Sequence, residues 1–259
     1  MPLLVWIVLF TALGGAASAL AASVFLLSSE QARARVLPHL VSFATGALLA
    51  AALLGLLPHA IESAGVANAH TVGLTILAGL LLFFVLEKLV LWRHCHQDVC
   101  EGHVPHDKHR DAASASLILI GDGFHNVLDG VLIAAAFMTD VHLGVVTALA
   151  VIAHEIPQEV GDLAILLHGG MTRTKALTLN LVTSLTSVLG GIAAYFGLAQ
   201  TRFVLPYAIA LAASSFLYIA VADLIPGLHR RVDPNSGAKQ FVFIVLGAAV
   251  IYFTHSAAH

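Results

Sequence analysis

Charge is what this sequence has least of. Asp, Glu, Lys and Arg make up 10% of its 259 residues, where a soluble domain carries about 25%. A chain so poor in charge cannot cover its own surface in water, so its solvent is lipid. It has two cysteines, Cys95 and Cys100, both in one polar loop, which gives no disulfide framework. A net charge of −3 with only 12 basic residues leaves no basic face for a nucleic acid. What remains is apolar: 59% hydrophobic residues and a mean hydropathy of +0.91. A helix needs about 20 apolar residues to cross a bilayer, or roughly 30 with its loop, so the length allows about eight spans and no separate soluble domain. The fold class expected is an all-α polytopic membrane protein of about eight transmembrane helices, with residues 1–259 as one domain in the lipid bilayer.

The apolar runs place spans near 3–27, 40–58, 71–92, 114–138, 142–168, 174–199, 203–227 and 239–256. No basic residue precedes the first span, so it lacks the charged start of a signal peptide and reads as a permanent helix. Arg33, Arg35, Lys88, Arg93, Lys108, Arg110, Arg173, Lys175, Arg230, Arg231 and Lys239 lie at the ends of odd-numbered spans or in the loops after them, and only Arg202 lies on the other side. Basic residues favour the cytoplasmic side. Odd-numbered loops are therefore expected in the cytoplasm and both termini outside, the parity eight spans require. Span two, "ATGALLAAALLGLLPHA", and span seven, "AASSFLYIAVADLIPG", both open on small residues and close on Pro58 and Pro226. They run in opposite directions, as in the inverted repeats of secondary transporters.

Against this background the polar residues inside spans four and five stand out. Span four reads "GDGFHNVLDG", with His125 and Asp129 four apart on one helix face, Asp122 within reach of that face and Asn126 beside it. Span five reads "AHEIPQEVGDLAIL". His154 and Gln158 share one face, while Glu155, Glu159 and Asp162 form a stripe at i, i+4, i+7. A single Asn or Ser would serve helix–helix hydrogen bonding. Two histidines and several acids need a partner, a proton or a cation, and imidazole with carboxylate suits zinc and its first-row neighbours. Pro157 frees a carbonyl one turn earlier, which membranes tolerate where the backbone faces protein or a cavity.

"HEIPQ" is also the beginning of a zinc-protease motif, but H-E-x-x-H needs a second His, and here Gln158 occupies that position with Pro157 inside the motif. No soluble domain presents a peptide. A permeation site fits better than a hydrolase, so the chain is read as no enzyme. A metal exporter or antiporter of another fold is the alternative transporter.

At these residues the sequence resembles the ZIP (Zrt/Irt-like) metal transporters. "HNVLDG" is similar to their H-N-x-x-[DE]-G, and "HEIPQEVGDLAIL" to the H-E-x-P-H-E-x-G-D signature of one large subfamily. "SFATGALLAAALLGLLPHA", "LFFVLEK" and "SFLYIAVADLIP" extend the likeness over nearly the whole chain. The resemblance implies an eight-helix fold in which spans four and five hold a two-metal transport site. It also implies import of Zn2+, or of Fe2+, Mn2+ or Cd2+, into the cytoplasm by an elevator-like alternation in a homodimer. It assigns a first site to His125, Asp129, His154 and Gln158, and a second to Asn126 and Glu155 with Asp129. Asp223 is then an exit-side contact and His59 an outer-side one. The loop 93–111, with five His, two Cys and four acids, resembles the His-rich cytoplasmic loop of many members. Gln158 replaces the subfamily His, and Thr183 and Ser184 stand where other branches carry a Glu. The loop plan points to a prokaryotic-type member in a bacterial inner membrane.

Overall fold

The computed structural model describes the backbone of residues 2–94, 108–168, 170–229 and 234–256. The central part of the His-rich loop, 95–107, lies outside the described residues, and so does any metal-receiving role for it. Eight helices are long and apolar enough to cross a membrane. They are α1 (Leu3–Leu27), α2 (Gln31–Ala64), α3 (Val66–Lys88), α4 (Leu119–Thr139), α5 (Val141–Leu167), α6 (Arg173–Ala199), α7 (Leu205–His229) and α8 (Gly237–Ser256). The described residues contain no strand. Helices are what a bilayer requires, since they satisfy every backbone group within the segment. Span two begins earlier than its apolar run suggests: Arg33, Arg35 and His39 lie on its first turns, because Ser29 caps it and accepts the Ala32 amide.

The helices pack as two groups of four. In one, α1 lies along α5, and α6 lies along α4; in the other, α2 lies along α8, and α7 along α3. The groups meet where α2 packs on α5 and α7 on α4. Exchanging α1 with α6, α2 with α7, α3 with α8 and α4 with α5 carries each of these contacts into another of the set. That is the expected inverted repeat, since each exchange reverses direction across the membrane.

Backbone geometry repeats with the contacts. Helix α2 widens to π-helix over Ala51–Leu56 and α7 over Ile219–Leu224. Pro58 and Pro226 follow each by two residues. A proline has no N–H and crowds the carbonyl four residues back; a π turn relieves that crowding by lengthening the bond to i→i−5. The Leu57 amide donates to the Ala52 carbonyl, and the Ile225 amide to the Ala220 carbonyl.

Small residues set the spacing. A Cβ on Gly46 of α2 would lie 1.9 Å from the Ile244 carbonyl oxygen of α8, and one on Gly247 would lie 2.0 Å from that of Phe43. Gly130 of α4 and Gly190 of α6 make the same reciprocal approach, to the Ser187 and Val127 carbonyls. Without a hydrophobic drive in lipid, close backbone contact supplies the dispersion that holds helices together. The main apolar core fills one end of the seam, with Leu48, Leu56, Phe137, Leu143, Ile209 and Phe216 among its buried members. That end lies opposite the basic loops.

Candidate metal site

The polar faces of α4 and α5 meet at the inner edge of this core. His125, Asp129, His154 and Glu155 offer ligand atoms that all lie within 4.8 Å of one another. His154 Nε2 lies 3.2 Å from Asp129 Oδ2, 3.3 Å from His125 Nε2 and 3.7 Å from Glu155 Oε1. His125 Nε2 lies 3.6 Å from Asp129 Oδ2 and 3.4 Å from Glu155 Oε1. Zinc bonds of 2.0–2.2 Å in a tetrahedron place ligand atoms about 3.3 Å apart. The four side chains already stand at that spacing.

Proton placement adds a second constraint. His154 Nδ1 lies 3.1 Å from the Ala150 carbonyl, which can only accept, so Nδ1 carries the hydrogen. In the neutral ring Nε2 is then a lone pair, and it faces Asp129 and Glu155, which have only lone pairs to offer when ionised. Both carboxyl oxygens of Asp129 and both of Glu155 are buried without a hydrogen-bond partner. A fixed tautomer with the second nitrogen aimed at carboxylates is the arrangement metal-binding histidines use. A cation among the four atoms would take a lone pair from each of the four residues. The ring edge of His154 also rests on Phe216 of α7, at 6.0 Å between centroids, which joins the cluster to the core.

A second group lies one turn nearer the basic-loop end. Asp122, Glu155 and Glu159 bring carboxylate oxygens within 4.8 Å of one another, all three residues buried. Asp122 Oδ2 and Glu159 Oε2 have no hydrogen-bond partner. Ser184 of α6 is hydrogen-bonded to Glu159, and Thr186 ties α6 to α4 by donating to the Gly123 carbonyl at 2.9 Å. Glu155 belongs to both groups. Among the described residues no Lys or Arg pairs with these four acids. Buried carboxylates at membrane depth without a basic partner call for a cation.

The other residues expected from the sequence have the following surroundings. Asn126 is buried, but its amide donates to the Asp122 carboxylate at 2.9 Å, so it orients that acid from behind. Gln158 is half-buried one turn beyond His154 on α5. Asp223 is exposed in the π-helical part of α7, within electrostatic reach of Glu87, His125 and His154. Glu87 of α3 accepts a hydrogen bond from the Tyr218 hydroxyl of α7. His59 lies far along α2, its Nδ1 3.0 Å from the Gly55 carbonyl and its ring 5.5 Å from that of His255. Asp122 and Glu159 are the members of the groups that the ligand sets implied by resemblance omit. The signal was present in the sequence, since each lies at helical spacing from a residue of the site.

Comparison with known proteins gives the family. The family model for the ZIP zinc transporters matches residues 93–255. The chain is 34% identical to the zinc transporter ZIP13 of Pongo abelii over 87% of this chain and 69% of that protein. It is 29% identical to the zinc transporter zipt-7.1 of Caenorhabditis briggsae over 96% of this chain and 78% of that protein. A match to the zinc transporter foi of Drosophila melanogaster is 40% identical but spans 52% of this chain and 19% of that one. With eight spans, paired polar helices and these relatives, the chain is a transporter and not a hydrolase, and it belongs to the ZIP zinc transporter family.

Proposed function

We propose that the protein carries Zn2+, and with it Fe2+, Mn2+ or Cd2+, into the cytoplasm by alternating access. The observation that carries this reading is the convergence of His125, Asp129, His154 and Glu155 at zinc-like spacing with their lone pairs turned inward. The transported ion is the substrate of this cluster.

Direction is supported by which side is sealed. Asp129, His154 and Glu155 side chains are at most 2% exposed, whereas that of His125 is 23% exposed. His125 lies one turn closer to the basic-loop end than Asp129, and the apolar core closes the opposite end. An ion released from the cluster meets next the carboxylates Asp122 and Glu159, about 6 Å inward for a four-residue step along α5. Glu155, shared by both groups, hands the ion on without leaving it unligated. Asp223 and Glu87 then lie on the exit side, His59 on the entry side, and the loop 93–111 receives the ion. Gln158 tunes the choice of metal.

The two helix groups supply the moving parts, the group of α1, α4, α5 and α6 carrying the ion against the group of α2, α3, α7 and α8. The working form is a homodimer in a bacterial inner membrane with both termini outside. In proteoliposomes holding a zinc-sensitive dye, an inward zinc gradient should drive dye response. Changes outside the ligand shell already reduce metal function 10–100-fold, so His154→Ala and Asp129→Ala should reduce flux by about a hundredfold or more. Flux that survives both substitutions, or that runs only outward on a proton gradient, would sink the proposal.

A further inference from the structure

An apolar cleft of about 400 Å³ opens at the seam between the two groups, at the basic-loop end. Leu26 of α1, Leu37 of α2, Leu163 and Leu167 of α5 and Ala176 of α6 form its walls. Two guanidinium groups, Arg33 and Arg173, line the same cleft, and among the described residues no acid does. Arg33 Nη1 donates to the Leu26 carbonyl at 2.8 Å and to the Ser28 carbonyl at 3.2 Å, which fixes the side chain against the end of α1. An arginine has five donors, so those on Nε and Nη2 remain for a ligand. Arg173 is exposed on the first turn of α6, after the Thr172 cap. The first amides of that helix add partial positive charge.

We infer that this cleft binds one anionic glycerophospholipid of the basic-side leaflet, its phosphate between Arg33 and Arg173 and part of one acyl chain against the apolar walls. A soluble anion would satisfy the arginines and leave the walls wet; a zwitterionic lipid would bring a cation beside the two guanidinium groups. The cleft lies at the ends of spans, where headgroups sit and basic side chains meet anionic lipid. Its volume falls in the range of small-molecule sites, about 300–1,000 Å³. Because the walls come from α1, α5 and α6 on one side and α2 on the other, the lipid touches both groups. It therefore biases any displacement between them. This regulatory consequence rests on the transport reading; the binding itself does not.

Native mass spectrometry of the purified full-length protein, titrated with phosphatidylglycerol or phosphatidylcholine, tests the binding without reference to flux. Phosphatidylglycerol should bind at least several-fold more tightly. Arg173→Gln should weaken it about fivefold, the effect of one basic contact near a lipid surface, and Ala164→Phe, which fills the cleft and leaves the charges, should weaken it too. Melting temperatures close to wild type will show that both variants are folded. Equal binding of the two lipids, or unchanged phosphatidylglycerol binding in both variants, overturns the inference. So does displacement of the lipid by millimolar inorganic phosphate, which would make the rim a plain anion site. If the lipid binds as expected but zinc flux is absent, the transport reading fails and the lipid site stands.

Discussion

Replacing Gly130 by alanine tests whether the α4–α6 contact holds the candidate site in shape. The added Cβ would lie 1.8 Å from the Ser187 carbonyl oxygen and 2.8 Å from the Gly191 amide nitrogen. A carbon and a carbonyl oxygen approach to about 3.3 Å, so the helices must part by roughly 1.5 Å. Overpacking costs about 1–3 kcal/mol, and a backbone-to-backbone clash belongs at the upper end. Better helix propensity returns about 1 kcal/mol. The net loss is therefore about 2 kcal/mol, and its position matters more than its size. Gly130 directly follows Asp129, whose carboxylate stands 3.2 Å from His154. A shift of an ångström exceeds the tolerance of about 0.5 Å for a functional constellation and is large enough for a hundredfold loss. Zinc uptake by proteoliposomes, read beside the melting temperature, should show both effects. Gly197 on α6 supplies the control, since a Cβ there meets nothing within 4 Å. Wild-type uptake and melting by Gly130→Ala would refute the claim that close packing of α4 on α6 positions Asp129.

Two further substitutions probe separate features. Gln158→His adds an imidazole one turn beyond His154, and because imidazole favours zinc over manganese, the KM for zinc should fall by about tenfold with that for manganese little changed; parallel shifts for both metals would refute a ligand role. Asp140 caps α5, its Oδ1 accepting the His142 and Leu143 amides at 2.8 and 3.0 Å, so Asp140→Ala should destabilise by about 1 kcal/mol. Partial burial raises the Asp140 carboxyl pKa, but those amide hydrogen bonds outweigh it and hold the group below its ordinary value. A depressed folded value means the stabilisation is present above about pH 4 and fades as pH falls through the folded value. The difference in melting temperature between wild type and Asp140→Ala should therefore narrow in acid, and a constant difference would argue against the cap.

Much of the fold is written in hydropathy. Eight apolar runs give eight spans because lipid leaves helices no alternative, and boundaries drift only where polar residues continue a helix past the bilayer, as at Arg33 and Arg35. The likeness of spans two and seven is legible through Pro58 and Pro226, but the π turns before them are not, since a proline can also kink a helix without widening it. In the candidate site, spacing alone puts His125 with Asp129 on one face. It cannot say how far α4 is rotated against α5. That rotation decides that Glu155, next to His154 in sequence, also turns into the cluster. Asn126 shows the same limit: adjacent to His125 in sequence, it spends its amide on Asp122. The contacts that set such rotations are tertiary, between residues far apart in the chain, as the glycine contacts of α4 with α6 are.

The two π-helical segments have a consequence for chain length. A π turn is an α-helix holding one residue more than its hydrogen bonds need. Each added residue advances a helix by about 1.5 Å and turns its remaining length by about 100°. Ala51–Leu56 and Ile219–Leu224 are therefore places where the polypeptide could lose a residue and still cross the bilayer as regular helix. Such a deletion would not shorten a loop; it would re-aim every side chain beyond it. In α2 that means His59, and in α7 the face that ends in Leu228. One spare residue in each half of the repeat thus acts as an angular setting for the end of its helix.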